Sequence, residues 1–182
     1  MRISAQCVVL FGVLLAAAVA CARDLPPIQP VAHVDLPRFM GSWYVIASIP
    51  TRVERDAYNA METYTLQSDG EVATTFRFND GASAAPVKTI RSLGIVKANT
   101  GNAVWGIQLF WPLKAQYIVA YVSRDYGETI VARDARDYAW IMTRTPAVSE
   151  EEYAALVDKV RHLGYDVDKI RRVPQRPPGR SG

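Results

Sequence analysis

Few residues of this chain could do covalent or acid–base chemistry. There are two histidines, His33 and His162, and two cysteines, Cys7 and Cys21. His33 stands in a proline-rich stretch. His162 stands near the end of a helix pattern, where an imidazole complements the helix dipole. Catalysis of the Ser-His-Asp or Cys-His kind needs a histidine in the folded body, and neither position supplies one. Asp134 and Asp137 fall in a turn pattern, where aspartate is ordinary turn chemistry rather than an acid/base pair. No Gly-rich phosphate loop, CxxC pair or HExxH metal spacing occurs in the sequence. Catalytic residues, metal ligands and a cofactor are therefore not expected, and the sequence does not read as an enzyme.

Cys21 is the residue with a chemical role to offer. It follows Arg2 and the apolar run Cys7–Ala20, which ends Ala18-Val19-Ala20. A basic start, an apolar core and small residues at its end make residues 1–20 a secretory signal peptide. Ala18-Val19-Ala20 is an A-x-A signal for ordinary signal peptidase, and small-small-small-Cys also resembles a bacterial lipobox. In the second case the Cys21 thiol takes a diacylglycerol, the chain is cut before it, and the new amine is acylated. Both routes stay open, with lipidation expected. Residues 21–34 then form a lipid-anchor cysteine and a proline-rich spacer, which composition predicts to be extended. Residues 174–182 read as a flexible Pro/Arg/Gly tail.

The body, residues 35–173, must position anything else. The composition of the whole chain is globular, with 49% hydrophobic and 21% charged residues. A net charge of +3 is too small and dispersed to point to nucleic acid. Candidate strands are 42–49, 60–67, 71–79, 87–97, 103–109, 117–124, 128–134 and 138–144, rich in Val, Ile, Thr and aromatic residues. Turn signals such as Ser68-Asp69-Gly70 and Asn99-Thr100-Gly101-Asn102 separate them. Val72, Thr74, Phe76 and Phe78 share one face, with Ala73, Thr75 and Arg77 on the other, and Trp105, Ile107 and Leu109 likewise share a face. No helical pattern lies between strands, so an antiparallel meander is expected, and eight strands lose their edges by closing into a barrel. Ser149-Glu150-Glu151-Glu152 opens a helix with a capping box, and Gly164 ends it. Its apolar stripe is Tyr153, Leu156, Val157, Val160 and Leu163.

Two segments carry a family resemblance. Asp35-Leu36-Pro37-Arg38-Phe39-Met40-Gly41-Ser42-Trp43-Tyr44 resembles the first lipocalin motif, G-x-W at the start of the first strand. The stretch from Asp134 to Pro146, with Asp137-Tyr138 and then Arg144, resembles the second and third motifs together. The chain is similar to the bacterial outer-membrane lipoprotein lipocalins (the Blc group), which are related to apolipoprotein D. Arg136 replaces the threonine of the motif, and the body has no cysteine for the disulfides that many secreted lipocalins carry.

The resemblance implies an all-β fold, an eight-stranded antiparallel up-and-down barrel with a C-terminal helix packed outside. It implies a cup that binds a small lipophilic ligand, fatty acid or lysophospholipid, and a lipid anchor on the periplasmic side of the outer membrane. It also implies that the family residues Gly41, Trp43, Asp137, Tyr138 and Arg144 are structural, with Arg144 lying across the Trp43 ring. Candidate ligand-lining residues are Val45, Ala47, Phe76, Phe78, Trp105, Ile107, Leu109, Tyr117, Tyr121 and Trp140. Large rings also suit a barrel filled by its own side chains, a structural envelope lipoprotein, and pocket volume separates the two. The expected partners are the ligand and the membrane; a homodimer stays open.

Overall fold

The computed structural model describes residues 25–110 and 113–176. Cys21 and the signal segment lie outside the described residues, as does the Leu109 side chain. Eight antiparallel strands follow one another: β1 (Gly41–Ile49), β2 (Ala57–Leu66), β3 (Val72–Asp80), β4 (Val87–Val96), β5 (Val104–Phe110), β6 (Leu113–Val122), β7 (Glu128–Ala132) and β8 (Ala139–Thr143). Each pairs with the next, and β8 returns to β1, which also pairs with β2, so the sheet closes into a barrel. Closure removes the unpaired strand edges that an open meander would expose.

A short helix, α1 (Leu36–Phe39), plugs one end. Asp35 caps it and Pro37 pre-sets its first turn. Gly41 then enters β1 at φ +90°, a backbone that only glycine adopts at low cost. At the floor, Phe39, Trp43, Tyr64 and Trp105 are buried together, with ring centroids 5.2–5.7 Å apart. The other end carries the β1–β2, β3–β4 and β7–β8 loops and is open.

A second apolar layer lies outside the barrel, under α2 (Glu150–His162). Its capping box is formed: the Ser149 hydroxyl accepts from the Glu152 amide, and the Glu152 carboxylate accepts from the Ser149 amide at 2.7 Å. Leu156 and Val160 are its buried residues, and they cluster with Ile118, Ile130 and Ile141 of the outer barrel face.

Both flanks depart from the sequence expectation. Residues 25–34 do not stand off as a spacer but lie along the barrel. The Ile28 amide donates to Asp134 Oδ1, Val31 to the Val119 carbonyl and Val34 to the Gly101 carbonyl, and Ile28 and Val34 are buried. A proline-rich composition predicts an extended chain, and an extended chain with Ile28, Val31 and Val34 can also pack.

The C-terminal residues are equally engaged. Strand β2 leaves β1 beyond the Tyr44–Met61 pair, opening a seam. A short β9 (Arg171–Arg172) pairs with Ala47 and Ser48 on the β1 side of it. Further along, the Gln175 amide donates to the Val45 carbonyl at 2.8 Å and the Ala60 carbonyl at 3.0 Å, joining the two lips. Through Arg176 this segment is part of the fold rather than a flexible tail.

Candidate functional site

The barrel encloses a cavity of about 330 Å³, within the usual range of small-molecule sites. A barrel filled by its own side chains would leave no such space. The wall is mainly apolar and aromatic, with Phe76 on β3, Ile90 on β4, Ile107 on β5, Val131 on β7 and Met142 on β8. These positions face inward because strand residues alternate between faces and the other face must be left for solvent or α2. At the base the Tyr64 and Tyr117 hydroxyls are 2.7 Å apart, one donating to the other. Tyr117 also stacks on Trp105 with centroids 4.8 Å apart, so the polar pair is held from below by the aromatic floor.

The mouth is more polar. Thr51, Val53 and Glu54 of the β1–β2 loop meet Arg133 and Tyr138 of the β7–β8 segment there. Trp140 Nε1 donates to Glu54 Oε2 at 3.0 Å. Burial raises the Glu54 carboxyl above its ordinary range, and that hydrogen bond partly offsets the rise. Arg133 pairs with Asp137 at 3.2 Å and lies over the Tyr138 ring, yet its Nε is buried with no hydrogen-bond partner among the described residues.

One charged group stands deeper. Glu62, on β2, is half-buried and borders the cavity. Desolvation, reinforced by the Glu54 carboxylate, pushes its pKa up to about 8. The carboxyl is therefore neutral at pH 7. The same apolar surroundings hold both base tyrosines well above their usual range, so their hydroxyls stay protonated.

The expected lining residues fall into three groups. Phe76, Ile107, Tyr117 and Trp140 border the cavity, and so does Tyr138 from the family motif. Val45, Phe78 and Trp105 belong to the inner core beneath or beside it. Ala47 and Tyr121 are outside the barrel, in the layer under α2, where Lys159 Nζ lies 4.6 Å from the Tyr121 ring centroid. Bulges explain both corrections. The β1–β8 ladder slips between Val45 and Ala47, and the β6–β7 ladder slips between Val119 and Tyr121. One extra residue inverts every later side chain, so strict alternation fails beyond it.

Glu62 and Arg133 were not among the candidates. Glu62 had a signal: it shares parity with Tyr64 on β2, and period two places both on one face. Arg133 had none, because its inward aim depends on where β7 ends.

The family residues form no single site. Gly41, Trp43 and Arg144 meet at the floor, whereas Asp137 and Tyr138 stand at the mouth. Arg144 lies with its Cζ 3.8 Å from the Trp43 ring centroid. The model of the lipocalin-like domain matches residues 34–175.

The chain belongs to the lipocalin family.

Outer membrane lipoprotein Blc of Escherichia coli strain K12 is 32% identical over 162 residues, covering 86% of this chain and 89% of that protein. Temperature-induced lipocalin-1 of Arabidopsis thaliana is 29% identical over 153 residues, covering 81% and 82%. Among solved structures, insecticyanin of the tobacco hornworm Manduca sexta superposes with a TM-score of 0.63 at 16% identity, covering 83% of this chain and 86% of that one. Membership of this family supports binding of a small lipophilic ligand in the barrel.

Proposed function

We propose that this lipocalin carries or stores single-chain lipids, fatty acids or lysophospholipids, within the cell envelope, held at the outer membrane by acylated Cys21 and facing the periplasm. The observation that carries the proposal is the enclosed, mainly apolar cavity of about 330 Å³ with one open end. The tail lies against Phe76, Ile90 and Ile107, and the head stays at the mouth beside Arg133. The barrel does no chemistry on the ligand. The similarity to outer membrane lipoproteins supports the location.

The arrangement of the N-terminus supports the same reading. Residues 25–34 descend the barrel from the mouth, where Arg136 donates to the Pro26 carbonyl, to the floor, where Asp35 meets Tyr126. An acyl group on Cys21 is thus four residues from the open end, a reach of at most about 14 Å. The anchor would hold the mouth, rather than the floor, against the lipid surface.

A chain-length series tests the carrier proposal. Burial yields roughly 0.8 kcal/mol per methylene, so affinity should rise with each added carbon until the cup is full. A flat series, or no uptake of a lipophilic fluorophore, would remove the proposal and favour a purely structural lipoprotein.

A further inference from the structure

Among the described residues, two polar groups of the cup have no hydrogen-bond partner. One is Arg133 Nε at the mouth, buried and without an acceptor. The other is Glu62, midway along β2, with Trp43 and Phe76 across the ladders on either side. The other polar groups named at the cavity wall are engaged elsewhere. Tyr64 and Tyr117 bond to one another, Glu54 accepts from Trp140, and Arg133 is paired with Asp137. A buried polar group left unpaired is costly, and native interiors rarely keep one without a use.

We infer that the cup selects single-chain lipids bearing a hydroxyl on the acyl chain, the hydroxyl engaging the Glu62 carboxyl while an anionic head lies beside Arg133. This rests on the carrier proposal and names the ligand class it takes. A neutral carboxyl offers one O–H donor and free acceptor positions, and a hydroxyl offers the same. The two exchange hydrogen bonds without bringing a charge into the barrel. An ammonium in that place would form a buried ion pair and require both ions to be desolvated. A plain methylene would leave Glu62 unpaired. At neutral pH the enclosed carboxyl is in the protonated form that the pairing needs.

The test is displacement of a lipophilic fluorophore from the purified full chain at neutral pH. The competitors are hexadecanoic acid and its positional hydroxy isomers, from the carboxyl end to the far methyl. One isomer should bind about tenfold more tightly than hexadecanoic acid, the gain of a satisfied buried hydrogen bond. The other isomers should bind more weakly than the plain acid, because their hydroxyl is buried without a partner. Glu62→Leu should abolish the preference and tighten hexadecanoic acid. Glu62→Gln, which keeps a donor and an acceptor, should retain most of the preference. The inference falls if no isomer exceeds the plain acid on the wild-type chain, a comparison that needs no variant to fold. It falls equally if the preference survives in Glu62→Leu. Binding of the fluorophore and hexadecanoic acid without preference would overturn the hydroxyl alone; failure of both to bind would overturn the carrier proposal with it.

Discussion

Arg144, just past the end of β8, covers the ring of Trp43, near the start of β1, with its guanidinium carbon 3.8 Å from the ring centroid. The same guanidinium donates to the carbonyls of Arg38, Phe39, Met40 and Ser42. The Trp43 indole in turn donates to the Phe39 carbonyl at 2.8 Å. One side chain therefore joins the last strand, the first strand and the helix that plugs the floor. Only arginine brings a planar face and several donors to one place. Arg144→Lys should lower stability by about 2 kcal/mol, because a single ammonium cannot serve those carbonyls together. A double-mutant cycle with Trp43→Phe, followed by urea unfolding, should give a coupling of about 0.5–2 kcal/mol. Additivity would show that the contact does not contribute to closure.

The hydroxyl pair at the base of the cavity is expected to behave asymmetrically. Tyr64→Phe leaves the Tyr117 hydroxyl buried with its partner gone, at a cost of roughly 1–3 kcal/mol. Changing both tyrosines to phenylalanine removes the orphan as well as the bond, so the double variant should be closer to wild type than either single one. Urea midpoints of the four proteins decide this.

The strands were readable from the sequence because β-branched and aromatic residues alternate between Gly/Asn turns, and the helix because Ser149 and Glu152 make its capping box. The mistaken positions share a cause. Ala47 and Tyr121 lie just past bulges, and a bulge is a tertiary adjustment to barrel curvature with no residue signature of its own. The flanks were harder to read for a different reason: residues 25–34 and 174–176 are held by backbone and Gln175 hydrogen bonds to the barrel, which composition does not encode. Glu62 was visible by parity, but a lone acid in an otherwise apolar face reads as a solvated position until the cup is seen around it.

Glu62 should make stability depend on pH. Its folded pKa, about 8, is above the unfolded value near 4.5, so the folded state binds the extra proton between them. Its effect on stability is thus most favourable below about pH 4.5, falls as pH rises toward 8, and is level above. The raised Glu54 carboxyl acts in the same direction. Glu62→Gln stays neutral throughout, so the stability of wild type minus that of the variant should decline from pH 5 to 8, by roughly 1.4 kcal/mol per unit at most. Unfolding midpoints across that window are the measurement, and parallel curves would mean that Glu62 ionises freely in the folded barrel. Affinity for a plain alkyl chain should also weaken as pH passes 8, because the chain would then lie against a carboxylate.

Gln175 should hold the seam between β1 and β2. Its amide serves Val45 and Ala60 on opposite lips, beyond the point where the two strands stop pairing. Gln175→Ala is expected to cost about 1–2 kcal/mol. Hydrogen exchange should quicken at the seam, for instance at the Asn59 amide, which bonds to the Pro174 carbonyl, while the β3–β4 ladder keeps its protection. Uniform loss of protection would mean global destabilisation rather than a local opening.

The last prediction concerns orientation at the membrane. If Cys21 is acylated, Cys21→Ala should leave the A-x-A site intact and release the protein to the soluble periplasmic fraction, since a folded barrel without acyl chains has no comparable anchor. With the anchor in place, three residues separate Cys21 from Leu25, where the segment that lies along the barrel starts beside the mouth at Arg136. Val53 stands exposed on the rim, and Asp69 stands exposed in the β2–β3 turn at the floor. Acylation blocks the only mature cysteine, so Val53→Cys and Asp69→Cys each supply a unique thiol for an environment-sensitive dye. In protein anchored to vesicles, the dye at position 53 should be quenched by headgroup-labelled lipid and the dye at position 69 should not. Quenching at 69 alone would turn the barrel over, and the mouth would then take its ligand from the aqueous side.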